Sequence, residues 1–469
     1  MTDPMIVRSS ESGPHVANPI YPSIGGPIYA RAFKGLYRNL RMCFAGFLML
    51  IFFATSWFNF NGHQAVLWDI AERKFYVFGA TFWPQDFALL SAILIIAAFG
   101  LFFLTVLFGR IWCGYSCPQS MWMWLFMWAE KVTEGDRSQR MKLAKAPFGL
   151  KKLAKRSAKH ALWLLMSVAT AIAFVGYFTP VRELVADLLT LEVGLGAGFW
   201  VAAFTLATYL NAGWLREQVC IHMCPYSRFQ SVMFDQDTLI VSYDAARGES
   251  RGARNIKQDP KALGLGDCID CTLCVQVCPT GIDIRNGLQI DCIGCGACVD
   301  VCNSVMDKMG YAKDLISYTS ERKLSGGKTR LWRLSAVGYG AALTLMIGLF
   351  AWALAAREPV AITVSKDRGM GRSNLLGQVE NDYRLKIINK TQYPRHYQVQ
   401  LEADAALSMQ PLPVLDLAPG EVLDLAVSVA MPKTADAPAI VPVEFVVREL
   451  HSDNVLVSAH SNFTAKRRY

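Results

Sequence analysis

The sequence predicts a multi-domain membrane protein: a five-helix transmembrane α bundle, a small cysteine-rich domain inserted before the last helix, and a C-terminal β-sandwich. Three observations predict it. Five apolar stretches are long enough to cross a bilayer, eight of the thirteen cysteines fall in one doubled run, and the tail changes to valine-rich alternation. Composition agrees, with 53% hydrophobic and only 18% charged residues, against roughly 25% charged in soluble domains. Disordered, collagen-like and small disulfide-scaffold classes are excluded by the same figures.

A helical span needs about 20 mostly apolar residues to cross roughly 30 Å of hydrocarbon. Five segments qualify, at 42–60, 86–109, 161–178, 198–215 and 334–355. The first lacks the short apolar core and small-residue cleavage site of a secretion signal, so it reads as a retained anchor. Orientation follows from the Lys/Arg bias of the loops. Arg8, Arg31, Lys34, Arg38 and Arg41 precede the first span. The 110–160 loop holds eleven cations against Glu130, Glu134 and Asp136, a net +8. The other two loops between spans one and four hold only Arg73 and Lys74, and Arg182. The N-terminus is therefore expected in the cytoplasm and the C-terminus outside. The overall +9 thus orients a membrane protein, and nothing here resembles a nucleic-acid reader. Within the basic loop, residues 141–160 place Leu143, Phe148, Leu150 and Leu153 among lysines, which predicts a helix lying on an anionic inner leaflet.

The doubled cysteine run reads Cys268-x2-Cys271-x2-Cys274-x3-Cys278-Pro279, then Cys292-x2-Cys295-x2-Cys298-x3-Cys302. It is the bacterial two-cluster ferredoxin spacing written twice. A cubane needs four thiolates converging from several directions, three from a tight loop and the fourth from the other run's last cysteine. The expected sets are Cys268, Cys271, Cys274 and Cys302 for one [4Fe-4S] cluster, and Cys292, Cys295, Cys298 and Cys278 for the other. Gly281, Gly287, Gly294 and Gly296 allow the backbone to wrap closely round the sulfurs. The second run departs slightly, with Asn303 where the first has Pro279. This domain falls between spans four and five, hence in the reducing cytoplasm, where such thiols persist.

Four further cysteines form two matched CxxxCP pairs, Cys113/Cys117-Pro118 after span two and Cys220/Cys224-Pro225 after span four. The match extends to Ser120 and Ser227, which suggests a two-span unit used twice. If helical, each pair lies on one face with its sulfurs about 6 Å apart along the axis. Alternatively each proline starts a new helix, with the pair in the turn before it. Four converging thiols suit a soft metal such as Cu(I), and His222 inside the second pair is a further candidate ligand. Met121, Met123 and Met223 read as packing residues. Trp112, Trp122, Trp124 and Trp128 read as marking the membrane interface. Cys43 reads as structural. Gly194, Gly196 and Gly198 precede a span without the strand–helix context of a dinucleotide site. No covalent haem, Walker A or flavin motif is present, so electrons come from a separate donor or from membrane quinol.

In the tail, residues 383–388, 397–401 and 422–429 alternate with period two, with turn signals at 419–420 and 452–454 between strands. About 110 residues of this kind predict a small β-sandwich, a docking module or folded cap. The chain then divides into an N-terminal tail (1–41), spans one to four with both CxxxCP motifs (42–230), a linker (231–260), the ferredoxin domain (261–310), a second linker (311–333), span five (334–355) and the β domain (358–469).

This combination resembles the cytochrome c oxidase accessory protein family, CcoG, also called FixG or RdxA, over nearly the whole chain. The stretch from Val241 to Gly252 and the Asp367-Arg-Gly segment are also similar to it. The resemblance implies an immunoglobulin-like β-sandwich in the periplasm and residence in the bacterial inner membrane. It also implies two [4Fe-4S] clusters and a cupric reductase, turning Cu(II) into Cu(I) for the copper site of a cbb3-type cytochrome c oxidase. Its implied partners are copper ions, an unidentified cytoplasmic electron donor, oxidase assembly factors or subunits, and inner-membrane lipid. The eight run cysteines carry over as cluster ligands. Cys113, Cys117, Cys220 and Cys224 carry over as the copper-handling redox site. Two alternatives stand beside this reading: a quinol dehydrogenase of the NapH type, and a non-enzymatic copper chaperone or assembly scaffold.

Overall fold

Helix α1 (Leu36–Ala54) begins among cations rather than after them, because Asp300 accepts hydrogen bonds from the Tyr37 and Arg38 backbone N–H groups at 3.1 and 2.8 Å. These are orphan donors of a first turn, and a carboxylate there also complements the helix dipole. The structure, a computed structural model, describes residues 28–465 except 61, 257, 261, 368–371, 374–377, 392, 404–405, 433–438 and 451–454. Arg8, residues 368–369 of the tail segment and the expected turn at 452–454 lie outside the described residues. The chain divides into two compact units, residues 1–57 with 91–348, and residues 58–90 with 349–469.

Among the described residues, five helices are long and apolar enough to span a membrane: Leu36–Trp57, Phe87–Phe108, Leu150–Val175, Leu195–Leu215 and Leu334–Ala355. None of the most apolar window of Phe87–Phe108 is buried by protein. A surface so exposed and so apolar is solvated only by lipid. Cys43 is among the exposed side chains of α1.

Two expectations change here. The stretch 141–160 is not one helix on the leaflet. It is broken between α5 (Arg137–Lys145) and α6 (Leu150–Val175), with α2 (Phe87–Phe108), α3 (Ile111–Tyr115) and α4 (Pro118–Glu134) preceding them. Pro147 holds Ala146 extended, at ψ 147°, and Gly149 caps the new helix. The lysine-rich second half is the first turns of the third span itself.

The other change is α4, which lies inside the unit rather than in a loop. Phe126 and Ala129 are wholly buried and pack with Trp163 of α6 and Ala212. Trp122 is likewise interior: it meets Phe52 edge-on at 5.5 Å and donates to Thr170 Oγ1 at 2.9 Å. Trp112 and Trp128 stay exposed. At the far end of α4, Glu130 takes ion pairs from both Arg140 and Arg216. Met121 and Met123 are buried core residues.

The cysteine-rich domain is closed by an antiparallel strand pair, Ile240–Tyr243 with Ile316–Thr319. Both strands come from the segments expected as linkers. Val241, Tyr243, Leu315 and Ile316 are buried against Cys268, Cys274, Val299 and Met306, so the domain needs these strands to close its core.

In the second unit, two antiparallel sheets form the immunoglobulin-like sandwich. One has the order Ser408–Met409, Val422–Met431, Val379–Asn389, Val360–Lys366; the other has Leu415–Leu417, Arg395–Glu402, Ile440–Glu449, Val455–Thr464. The three alternating segments sit in Val379–Asn389, Arg395–Glu402 and Val422–Met431. Tyr383, Leu385 and Ile387 point into one core with Val399, Phe445 and Phe463, the period-two pattern at work. Residues 58–90 add a three-stranded sheet, Val66–Asp69, Lys74–Val77 and Ala80–Phe82. Asp86 beside it pairs with Arg357 at 2.7 Å and Lys390 at 3.3 Å.

Candidate redox site

In both cysteine runs the residues flanking the middle cysteine are left-handed: Asp270 (φ 53°) and Thr272 (56°) around Cys271, Gly294 (62°) and Gly296 (69°) around Cys295. Two such residues turn the chain sharply enough for three thiols to face one point. Non-glycine residues suffice in the first run. The second run needs glycine for a different reason from wrapping sulfur. A Cβ on Gly296 would lie 2.8 Å from the Tyr37 ring, and one on Gly294 would lie 3.1 Å from the Arg110 carbonyl oxygen. The second loop is pressed against α1 and the start of α3.

The structure gathers Cys268, Cys271, Cys274 and Cys302 around one small cavity of about 20 Å3. Cys278, Cys292, Cys295 and Cys298 surround a second of about 20 Å3, with Cys274 on the wall between them. The last cysteine of each run therefore stands with the first three of the other. Val241, Ile282, Ile284 and Ile293 line the second cavity; Met306, Leu315 and Ile316 line the first. Burial pushes the Cys274, Cys292 and Cys302 thiols up to about 12, so they keep their protons until a metal displaces them. Among the described residues no three His, Cys, Asp or Glu side chains stand close enough to share a single metal ion. The donor set fits something larger: four soft thiols converging in an apolar setting is what an iron–sulfur cubane requires. Arg285, paired with Asp283 and Asp270, lines the first cavity and brings a cation to it.

The paired CxxxCP motifs adopt the second of the two geometries. Pro118 opens α4 and Pro225 opens a helix over Pro225–Val232, with Cys117 and Cys224 as extended N-cap residues. Cys113 lies in the short helix α3 and Cys220 in the helical turn Val219–Met223. The same long backbone bond closes both turns, Cys117 N to Trp112 O at 2.8 Å and Cys224 N to Val219 O at 2.9 Å. Two copies of one local structure result. The two pairs lie near one another, since the Cys113 thiol feels Cys117 and Cys224, and that of Cys220 feels the other three, but no three of these thiols and His222 stand close enough to share one metal ion. Burial pushes Cys113 up to about 11 and Cys220 up to about 12; the Gln230 amide, donating to Cys113 Sγ at 3.2 Å, opposes the first shift. His222 and Met223 are exposed, and among the described residues no hydrogen bond joins His222 to the thiols.

What the motifs alone did not reveal is how closely the two sites approach. A Cβ on Gly114, one residue after Cys113, would lie 2.7 Å from Gly294 O and 3.1 Å from Cys295 Cα. Arg110 holds the contact, its guanidinium donating to Cys292 O at 3.0 Å, to Ile290 O, and to Ser227 O at 2.8 Å. One side chain thus ties the second cluster loop to both CxxxCP motifs. Tyr318 adds to the clasp: its hydroxyl donates to Gly294 O and lies 3.2 Å from that of Tyr115, and its ring is 5.0 Å from that of Tyr37. In sequence, the only sign of Arg110 was its place three residues before Cys113.

Comparison with known proteins follows these boundaries. Residues 215–321 match the family described as "4Fe-4S dicluster domain", which supports two [4Fe-4S] clusters in this chain. Residues 350–466 match "IG-like fold at C-terminal of FixG". Protein RdxB of Cereibacter sphaeroides is 38% identical over 406 residues, covering 82% of this chain and 84% of its own length. Nitrogen fixation protein FixG of Rhizobium meliloti is 34% identical over 467 residues, covering 87% of this chain and 88% of its own. The methylamine utilization ferredoxin-type protein MauN of Methylorubrum extorquens is 29% identical over 203 residues, 42% of this chain and 54% of its own.

Proposed function

The chain belongs to the FixG/RdxA family of iron–sulfur electron-transfer proteins of the membrane, and on that premise we propose that it is a cupric reductase. Its substrate is Cu(II), each ion taking one electron at the CxxxCP thiols to become Cu(I). Cys268, Cys271, Cys274 and Cys302 hold one cluster; Cys278, Cys292, Cys295 and Cys298 hold the other. A bound [4Fe-4S] cluster supplies a one-electron couple. Soft sulfur favours Cu(I) over Cu(II), so Cys113, Cys117, Cys220 and Cys224 bias the ion toward its reduced form. The observation that carries the reading is the backbone contact between Gly114 and Gly294, which sets the copper-handling thiols against the second cluster loop.

The N-terminus and the ferredoxin domain face the cytoplasm in this reading, by the Lys/Arg bias of the loops, and the immunoglobulin-like domain faces the periplasm. Electrons enter from a separate cytoplasmic donor. The Cu(I) product serves copper-site assembly of a cbb3-type oxidase, through its assembly factors or subunits. Anaerobic protein with pre-reduced clusters tests the reaction: addition of Cu(II) reoxidises the clusters, restoring their visible absorbance, and yields Cu(I), trapped by a Cu(I)-specific chelator. Clusters that stay reduced in excess Cu(II) defeat the proposal. An unchanged rate in Cys113→Ser/Cys220→Ser relocates the copper site.

One feature favours a second reading, electron entry from membrane quinol. An apolar groove lined by Leu40, Phe44, Leu104 and Phe108 ends on Tyr115 and Tyr318 beside the second cluster loop. Reduction of oxidised clusters by a short-chain quinol analogue, without a soluble donor, selects this reading over a cytoplasmic one.

A further inference from the structure

The N-terminal approach to α1 forms a cavity of about 310 Å3, built from three separate parts of the chain. Arg31 and Lys34 come from the segment before α1, and Arg38 and Arg41 from its first turns. Lys131 and Arg137 come from the junction of α4 and α5. Val277, Pro279 and Ala297 of the ferredoxin domain make the third wall. Among the described residues Asp136 is the one acid lining it; Arg140 also lines it but is engaged with Glu130 and Glu134.

Among the described residues, Arg31, Lys34, Arg38 and Lys131 have no acidic partner. Arg41 and Arg137 are held only by backbone carbonyls, Ser120 O at 3.1 Å and Tyr29 O at 2.8 Å. Six like charges around one cavity, with Asp136 the one acid among the described lining residues, leave an excess of positive charge that a bound anion relieves. Guanidinium groups suit phosphate in particular, because their planar forks bind its oxygens in pairs.

The rest of the cavity says which phosphate. Its apolar lining is Trp124, Met127 and Trp128. The exposed apolar belt of α1 starts at Leu36 and Leu40 among these cations and continues past Arg41 through Phe44 and Phe47. The cations therefore stand at the water edge of the hydrocarbon, where headgroup phosphates lie and where basic pockets between membrane helices take anionic lipids. From the cation ring and its apolar lining, we propose that this cavity binds the headgroup of an anionic phospholipid, with its acyl chains along Trp124 and Trp128. Because one wall is the ferredoxin domain, the bound lipid also holds that domain against α1 and α4. The assignment does not depend on the copper reading.

The test uses the full-length, cluster-loaded protein in neutral detergent, stripped of lipid. Thermal unfolding and native mass spectrometry are followed on adding phosphatidylglycerol or cardiolipin, with phosphatidylcholine and inorganic phosphate as separate arms. The anionic lipids are expected to raise the unfolding midpoint and remain bound, with affinity falling as salt rises. Lys34→Glu with Lys131→Glu should weaken that binding at least tenfold, and Lys323→Glu, remote from the cavity, should not. If the double reversal does not fold, Lys34→Gln with Lys131→Gln gives the same comparison, with a smaller loss. Equal stabilisation by phosphatidylcholine overturns the proposal. So does an effect of inorganic phosphate equal to that of lipid, or unchanged lipid binding in the folded double variant.

Discussion

Gly114 and Gly294 touch through their backbones: the place where a Gly114 side chain would begin is 2.7 Å from the Gly294 carbonyl oxygen. Gly114 is not explained by its own motif, whereas Gly294 has a positive φ of 62°. The first has no positive φ to relieve, and only the approach of the second cluster loop requires it. Gly114→Val should push that loop away from Cys113. A displacement on the order of 1 Å at a reacting geometry costs roughly 100-fold. Stopped-flow reoxidation by Cu(II) should therefore slow on the order of 10- to 100-fold, with iron content unchanged. Full-rate reoxidation in this variant would place the electron exit elsewhere.

The crossed arrangement of the cysteine runs makes a sharper test of the cluster sites. Cys302→Ala and Cys278→Ala each remove a thiol from the cavity of the opposite run. Each variant should lose one cluster, falling from about eight to about four iron atoms per chain. The variants should also lose different halves of the electron-resonance spectrum of the reduced protein. Loss of the same signal in both would mean the runs bind without crossing.

Glu130 is 3% exposed and is the shared partner of Arg140 and Arg216, with the Arg216 guanidinium also 5.6 Å from the Trp163 ring. Glu130→Gln leaves the Arg216 guanidinium without its counter-charge and Arg140 with only the more distant Glu134, at 4.0 Å. Breaking a buried pair from one side costs about 3–5 kcal/mol. The variant should unfold at a markedly lower temperature in detergent, read by tryptophan fluorescence. Glu183→Gln, on a short exposed helix, should not.

Asp237 is clamped by Arg322, through Nε at 2.8 Å and Nη2 at 3.0 Å, and by the Arg330 backbone N–H at 2.9 Å. The Arg322 guanidinium holds its carboxyl below the usual carboxylate range. The folded form then binds fewer protons than the unfolded one in the interval between the two values. The clamp's stabilisation is accordingly complete above the ordinary carboxylate range and is lost as pH falls through the depressed value. Midpoints measured from pH 7 down to pH 3 should converge for wild type and Asp237→Asn at the acid end and separate above it. Parallel curves across the whole range would remove Asp237 from the acid response.

The amino-acid sequence by itself determined what depends on short spacing or on bulk composition. Five spans follow from local apolar length, two thiol runs from cysteine intervals, and the β-sandwich from period-two alternation. The solvent decides these properties, lipid or water, or they lie within a few residues of one another. What only the tertiary structure decided depends on partners far along the chain. The charges on α4 made it read as loop, because the arginines that neutralise Glu130 arrive from positions 140 and 216. Residues 240–243 and 316–319 read as linker, because each strand is short and neither buries anything until it meets the other. The glycines of the second run were legible as turn-formers, but their decisive neighbours are Tyr37 and Arg110. The reason is the same throughout: a close backbone approach or a buried ion pair has no local signature, since either half alone is an ordinary glycine or an ordinary charge.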